Sequence, residues 1–257
     1  MRVSRVIGPL VVLILALGFW ECSVRVAHLP SFILPPPSEI LSTFACRVPF
    51  LAGHAVVTLA EIALGALLAM IGGVLLAVVI HHSRVMERAL YPLVVGSQMV
   101  PVFAVAPLLI VWFGYGLWPK VAVAALIGFF PVVINAVDGL RATDRETADV
   151  FRSLGATEWQ LFLKLKIPSS LPLLLSGIKV GATLAVVGAT IGEWIGAQRG
   201  LGFLMVQSNA RLQMDVVFAA ILALALLGVG ILVALRAIER WLLRWRVASD
   251  RTAHGGL

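Results

Sequence analysis

Side chains able to do chemistry are scarce in this chain, and the notable ones stand inside apolar stretches. Glu61, Gln98, Asn135, Lys179 and Glu193 fall within or at the ends of long apolar runs, where a polar group costs free energy and marks, by default, a functional contact. Thr183, Val187, Thr190 and Trp194 recur at spacings that place them on one side of a helix. Such a stripe can face a solute; the alternative is that the threonine hydroxyls bond their own backbone four residues back. Gln98 and Met99 precede Pro101, and Pro101 and Pro107 interrupt a backbone pattern whose freed carbonyls could line a cavity. The expected solute-contacting set is therefore Gln98, Met99, Asn135, Thr183, Thr190, Glu193 and Trp194. Lys179 is expected to snorkel to headgroups rather than to pair. Glu193, at an outer helix end, could meet solute, a delivery protein or another subunit.

Other chemistries lack their parts. His28, His54, His81, His82 and His254 lie at the edges of apolar runs or on a tail, not in an acid–base or metal constellation. Cys22 and Cys46 have no histidine at ligand spacing, so zinc is not indicated, and a disulfide between them is possible without being implied. None of the four lysines follows a glycine, so no phosphate loop of the G-x-x-x-x-G-K type is present. The net charge of +7 comes from short clusters at the ends of apolar runs, a topology signal rather than a nucleic-acid-binding stripe. An enzyme is not the expected class.

The elements that must position these residues are membrane helices. The 257 residues are 60% hydrophobic and 13% charged, against about a quarter charged in a soluble domain. Six segments, 6–27, 55–80, 90–112, 119–139, 171–192 and 216–238, reach the roughly 20 apolar residues a bilayer requires. Lipid offers no partner to unpaired backbone, so each is expected to be helical, and long continuous runs exclude a barrel. With the N-terminus inside, the inner segments hold 14 Lys and Arg and the outer segments 5, which sets both termini in the cytoplasm. The first apolar run ends in Trp20-Glu21-Cys22 without a small-x-small cleavage site, so it is expected to be retained as a span. Gly188, Gly192 and Gly196 repeat every four residues, a pattern for close helix packing. The segment from Trp241 to Arg246 is expected to anchor at the interface.

Two loops exceed simple connectors. The outer loop 28–54 contains Leu34-Pro35-Pro36-Pro37-Ser38-Glu39 and is expected to run extended across the outer surface. The inner loop 141–170 is amphipathic. Asp144 to Ala148 can start a helix, Gly155 interrupts it as a C-cap or hinge, and a second short helix fits Thr157 to Lys164, with Trp159, Phe162 and Leu163 as its apolar surface. Pro168 and Pro172 are expected to turn the chain sharply into the fifth span. Two short helices joined at a glycine outside the membrane make a rigid lever. The bland reading is an amphipathic hairpin lying on lipid.

The register of that loop carries a resemblance. Asp149-Val150-Phe151-Arg152-Ser153-Leu154-Gly155, nine residues, then Leu165-Lys166-Ile167-Pro168 is similar to the Glu-Ala-Ala, three residues, Gly, nine residues, Ile-x-Leu-Pro motif of type I ABC importer permeases. Asp149-Val150-Phe151 departs from Glu-Ala-Ala, and Glu146-Thr147-Ala148, closer in letters, is three residues out of register. Val100 to Pro107 with Trp112-Phe113-Gly114 resembles the family's third span. Gly192-Glu193-Trp194-Ile195-Gly196, Gly200-Leu201-Gly202 and Phe218-Ala219-Ala220 resemble its later regions, in the nitrate/sulfonate/taurine branch.

The resemblance implies an all-α integral membrane protein of the bacterial inner membrane, with a first helix and outer loop over 1–53, the transmembrane domain over 54–240 and a cytoplasmic tail over 241–257. It implies ATPase-coupling residues Asp149, Arg152, Gly155, Ala156, Trp159, Phe162 and Pro168. The implied partners are a second permease copy in a homodimer, two cytoplasmic ATPases that bind ATP and Mg, an extracytoplasmic solute-binding protein and lipid, with no nucleic acid. No cofactor is expected on this chain. The stretch from Gly192 to Gly202 looks most like branches linked to pyrimidine precursors or riboflavin; nitrate, sulfonates, taurine and aromatic carboxylates stay open. A secondary transporter driven by an ion gradient is the competing class, but it usually shows internal repeats and buried carboxylates along the path.

Overall fold

The computed structural model describes residues 4–243, with side chains from Ile7 onward; Arg2, Arg244, Arg246, Arg251 and the remainder of the expected tail lie outside the described residues. The first span is α1 (Ser4–Val26), and α2 (Pro37–Cys46) and α3 (Val48–His82) follow. Then come α4 (Arg84–Ser97), α5 (Val102–Phe113) and α6 (Leu117–Arg141), the short α7 (Arg145–Ser153) and α8 (Glu158–Leu161), a π turn (Phe162–Lys166), α9 (Ile167–Gly196), α10 (Leu201–Ala210) and α11 (Met214–Leu242). No strand occurs among the described residues.

Among the described residues five helical stretches are long and apolar enough to cross a bilayer, and α4 with α5 reaches that length only as a pair, bent by 97°. The expected third span over 90–112 is thus not one helix. Pro101 has no N–H to continue α4 and forces Val100 out of the helical region, so the chain breaks over residues 98–101 and restarts at Val102. Pro107, by contrast, sits inside α5 without ending it.

The outer loop also differs from the extended path expected of it. Pro37 opens α2 because its fixed φ suits the first helical position, where a missing N–H is harmless. Glu21 of α1 then supplies the capping acceptor: Ser38 donates its N–H to Oε2 at 3.0 Å and its hydroxyl to Oε1 at 2.7 Å. The expected division at residue 54 falls inside α3. Cys22 and Cys46 are both free thiols, exposed in the chain.

The chain clusters into two compact units, one of residues up to Thr58 with Gln198–Leu227, the other of Leu59–Ala197 with the residues from Gly228. In the first, Leu51, Leu201, Leu204, Val216, Ala219 and Ala220 form the core. Trp20 packs on Phe218 with ring centroids 5.6 Å apart, Thr43 donates to Asp215 at 3.1 Å, and the Leu201 N–H donates to the Thr58 hydroxyl at 2.8 Å.

The second unit is organised by α6 against α9. Their backbones touch where glycines leave room: a Cβ on Gly181 would stand 2.5 Å from the Gly128 carbonyl oxygen, and one on Gly188 2.6 Å from the Ala124 Cα. Gly192 packs likewise on Lys120, while Gly196 meets the Ile110 side chain of α5, so the four-residue glycine repeat serves packing. Gly181→Ala is expected to lower the thermal stability of the purified protein by about 1–3 kcal/mol, because the obstructing atom is backbone. Gly228→Ala, with nothing within 4 Å in the chain, is the control expected to change little. Equal melting temperatures for the two variants would contradict this packing.

Candidate functional site: the inner loop and the polar groups of the spans

The loop 141–170 is built from local signals. The Asp144 carboxylate caps α7, accepting the N–H groups of Glu146 (3.4 Å) and Thr147 (3.0 Å) and the Thr147 hydroxyl (2.6 Å). The Thr147 hydroxyl and backbone bonds hold that carboxyl below its ordinary pKa. At the other end, Gly155 adopts φ +80°. The Gly155 N–H donates to the Arg152 carbonyl (2.9 Å) and the Ala156 N–H to the Phe151 carbonyl (3.0 Å), the paired bonds of a Schellman stop. Thr157 and Gln160 then form a reciprocal capping box that starts α8.

Arg152 ties the two short helices together across the glycine. Its Nε donates to Glu158 and an Nη to Asp149, both at 2.9 Å. Hydrogen bonds from Glu158 first, then Asp149, raise its pKa above the ordinary guanidinium value, so its charge is constant. These pairs are exposed and add little stability; their effect is to fix an angle. Around them the loop presents apolar groups to water: Leu154 is 80% exposed and Trp159 67%, with Val150 beside them. Exposed apolar groups gathered on a polar loop are of the kind that pack against another protein or a membrane surface.

The junction with the membrane differs from expectation. Pro168 and Pro172 do not turn the chain; α8, the π turn and α9 run on as one 39-residue helical stretch from Glu158 to Gly196. The extra residue of the π turn shifts the carbonyl that Pro168 would otherwise meet, so its ring is accommodated. Pro168 is half-buried at the start of α9, and Phe162 opens the π turn.

The polar groups of the spans divide into braces and exposed positions. Lys120 Nζ reaches Glu61 Oε1 at 2.6 Å, both side chains buried, with the Glu193 carboxyl beside Glu61. Glu193 is 1% exposed and Glu61 fully buried; the ion pair joins the outer end of α6 to α3, with a carboxyl of α9 buried beside it. Lys179 does not snorkel: its ammonium lies 2.7 Å from both oxygens of Glu239, because α11 brings a carboxylate within reach of its stem. Arg141 joins α6 to α4 through Glu87 at 2.5 Å and lies over the Tyr91 ring at 4.6 Å.

Gln98 and Met99 lie exposed in the break between α4 and α5. Asn135 is half-buried, donates to the Pro131 carbonyl at 2.9 Å and meets Gly177 of α9. Thr183 and Thr190 donate to the carbonyls of Lys179 and Val186, four residues back. Thr183, Val187 and Trp194 are exposed on α9, whereas Thr190 on the same side of the helix is buried. Sequence reasoning did not pick out Lys120, Glu239, His81 or Lys166 as partners; all four are charged or titratable groups at helix ends, and that is the only signal they carry.

The long apolar helices, the bent α4–α5 pair and the capped loop between α6 and α9 define a helical, multi-pass membrane protein. The chain belongs to the family described as binding-protein-dependent transport system inner membrane component, whose profile matches residues 69–244. It is a permease subunit of an ABC importer, in the multi-pass inner-membrane class, and not itself an enzyme. It is 39% identical to the formylaminopyrimidine transport permease protein ThiX of Halalkalibacterium halodurans, over 95% of this chain and 98% of that one. It is 38% identical to the riboflavin transport system permease protein RibX of Chloroflexus aurantiacus, over 94% of this chain and 91% of that one. The taurine transport system permease protein TauC of Escherichia coli is 30% identical over 95% and 90%. A chain in an inward-facing structure of the MetNI methionine ABC transporter superposes with a TM-score of 0.66 at 20% identity, covering 75% of this chain and 96% of that one, a likeness of fold.

Proposed function

We propose that two copies of this chain form a pathway for a small nitrogen heterocycle, of pyrimidine-precursor or flavin type, across the inner membrane. The observation that carries the substrate class is the near-full-length similarity to permeases named for formylaminopyrimidine and for riboflavin, above that to the taurine permease. An extracytoplasmic protein delivers the solute, and two ATPases, which bind ATP and Mg, dock on the loops 141–170 and drive alternating access.

In this reading Asp149, Arg152, Gly155, Ala156, Trp159, Phe162 and Pro168 form the docking lever. The support for the lever is its geometry: a Schellman turn at Gly155 braced by Arg152, with Leu154 and Trp159 exposed. Gln98 and Met99, in the break of the third span, and Thr183 and Trp194, exposed on α9, are the side chains that meet solute. Asn135, Thr190 and Glu193 shape the walls behind them.

The substrate is tested by purifying the binding protein encoded beside this gene and identifying its retained ligand by mass spectrometry. A pyrimidine or flavin is the expected result, with the same compound driving ATP hydrolysis in proteoliposomes that hold the whole complex. Retention of taurine, a sulfonate or nitrate overturns the substrate class and leaves the permease assignment standing.

A further inference from the structure

The π turn brings two side chains of the lever against the inner end of a different span. Lys166 Nζ lies 3.1 Å from His81 Nε2, and the Phe162 ring stacks on the His81 ring, centroids 6.3 Å apart and planes 25° from parallel. Trp159 stacks in turn on Phe162 at 5.9 Å. Phe162 and Lys166 are four residues apart in a turn with i→i+5 bonding, which sets them nearly in line, so one imidazole is held from two sides. A cavity of about 450 Å³, lined in part by Val78, His82 and Glu158, lies beside this contact.

The chemistry of the bond fixes its state. An ammonium has donors and no acceptor, so Nε2 must present its lone pair, and the proton sits on Nδ1. Protonating the ring removes the acceptor and leaves two cations face to face. The other charged groups near the ring are Glu87, Arg141 and His82, with Glu158 across the cavity. Glu87 is already paired with Arg141 and Glu158 with Arg152, so neither carboxylate is free to replace Lys166.

We infer that His81 is a positioning residue that latches the docking lever to α3, so that movement of the loop is passed to α3 as well as to α9. The inference rests on the docking role proposed for the loop. The covalent paths from lever to membrane run into α6, through residues 142–144, and into α9, through a π turn, a helical irregularity frequent at functional sites. The His81 contact supplies a further, non-covalent path, from the π turn into α3, and it opens when His81 gains a proton. Stacking and one hydrogen bond suffice to hold such a latch and are weak enough to reform in each cycle.

The test uses the whole complex, permease, ATPase and binding protein, in proteoliposomes, and reads solute transported per ATP hydrolysed. His81→Ala is expected to keep its ATPase bound and hydrolysing while that ratio falls at least about fivefold, the low end of common coupling strengths. His81→Gln, whose carbonyl oxygen can accept from Lys166 and does not titrate, is expected to hold the wild-type ratio. On acidification the ratio of the wild type should fall while that of His81→Gln stays level, with the same ATPase and binding protein in both. An unchanged ratio in His81→Ala overturns the latch. So does loss of the ATPase from His81→Ala, which would make the residue part of docking itself, and so does an equal acid response in wild type and His81→Gln. Failure of the docking role shows separately, as normal transport by a Gly155→Trp complex whatever His81→Ala does.

Discussion

Gly155→Trp is expected to abolish ATP-driven uptake while the protein still inserts in the membrane. Two independent facts set the outcome. The φ of +80° at Gly155 penalises any L side chain by about 1–2 kcal/mol, which loosens the Schellman turn that orients α8 against α7. A Cβ there would meet nothing within 4 Å, so no packed neighbour is displaced at its base, and the indole adds bulk to the exposed side of the lever, where it obstructs whatever docks. Couplings between sites commonly amount to about 1–3 kcal/mol, so a loss of tenfold or more in transport rate is the scale to look for. Gly155→Asn separates the two causes, because asparagine tolerates the left-handed region: it should transport nearly as the wild type does, with Gly155→Ala between the two. The measurement is solute uptake beside co-purification of the ATPase. A Gly155→Trp permease that binds its ATPase and transports normally removes the docking role from this turn.

Lys120→Met is expected to be the most destabilising single change in the second unit. It leaves the Glu61 carboxylate, fully buried with Glu193 beside it, without its cation. Breaking one side of a buried pair costs roughly 3–5 kcal/mol, comparable with the whole net stability of many domains. The double variant Lys120→Met with Glu61→Gln should recover most of the loss, since the Glu61 charge is removed together with its cation. Thermal unfolding in detergent gives the stabilities, and uptake by the double variant gives the function. A Lys120→Met protein as stable as wild type would mean that the buried pair does not hold α3 and α6 together. Full stability with lost uptake in the double variant would move the cluster from brace to mechanism.

Much of the architecture was legible in the residues. Long apolar runs admit only helices in lipid, and the Lys and Arg placed loop 141–170 inside. The caps of that loop, Asp144, Gly155 and Thr157, act within a few residues of themselves, so their effect is readable locally. The glycine repeat from Gly188 to Gly196 likewise announced close packing. The misreadings have a common cause. Leu34 to Glu39 reads as extended chain because its prolines lack donors, but a carboxylate from α1 turns Pro37 into a helix start. Pro168 reads as a corner because the π turn before it is invisible in composition. Pro101 was read as an interruption, but the 97° bend it introduces depends on how α5 packs afterwards.

What the sequence by itself determined is the class: a helical membrane permease subunit, legible in its apolar runs and in the register of Asp149, Gly155 and Pro168. Only the tertiary structure decided which polar groups hold one another. Lys120 with Glu61, Lys179 with Glu239, and Lys166 with His81 are separated by 59, 60 and 85 residues. Nothing in the spacing of any pair distinguishes it from other combinations. Their meeting follows from helix docking, and the Gly128 and Gly181 contact sets that docking for α6 and α9 by letting their backbones touch. A charge in a span announces that it needs a partner; the partner is chosen by packing across the bundle, which a linear pattern does not encode.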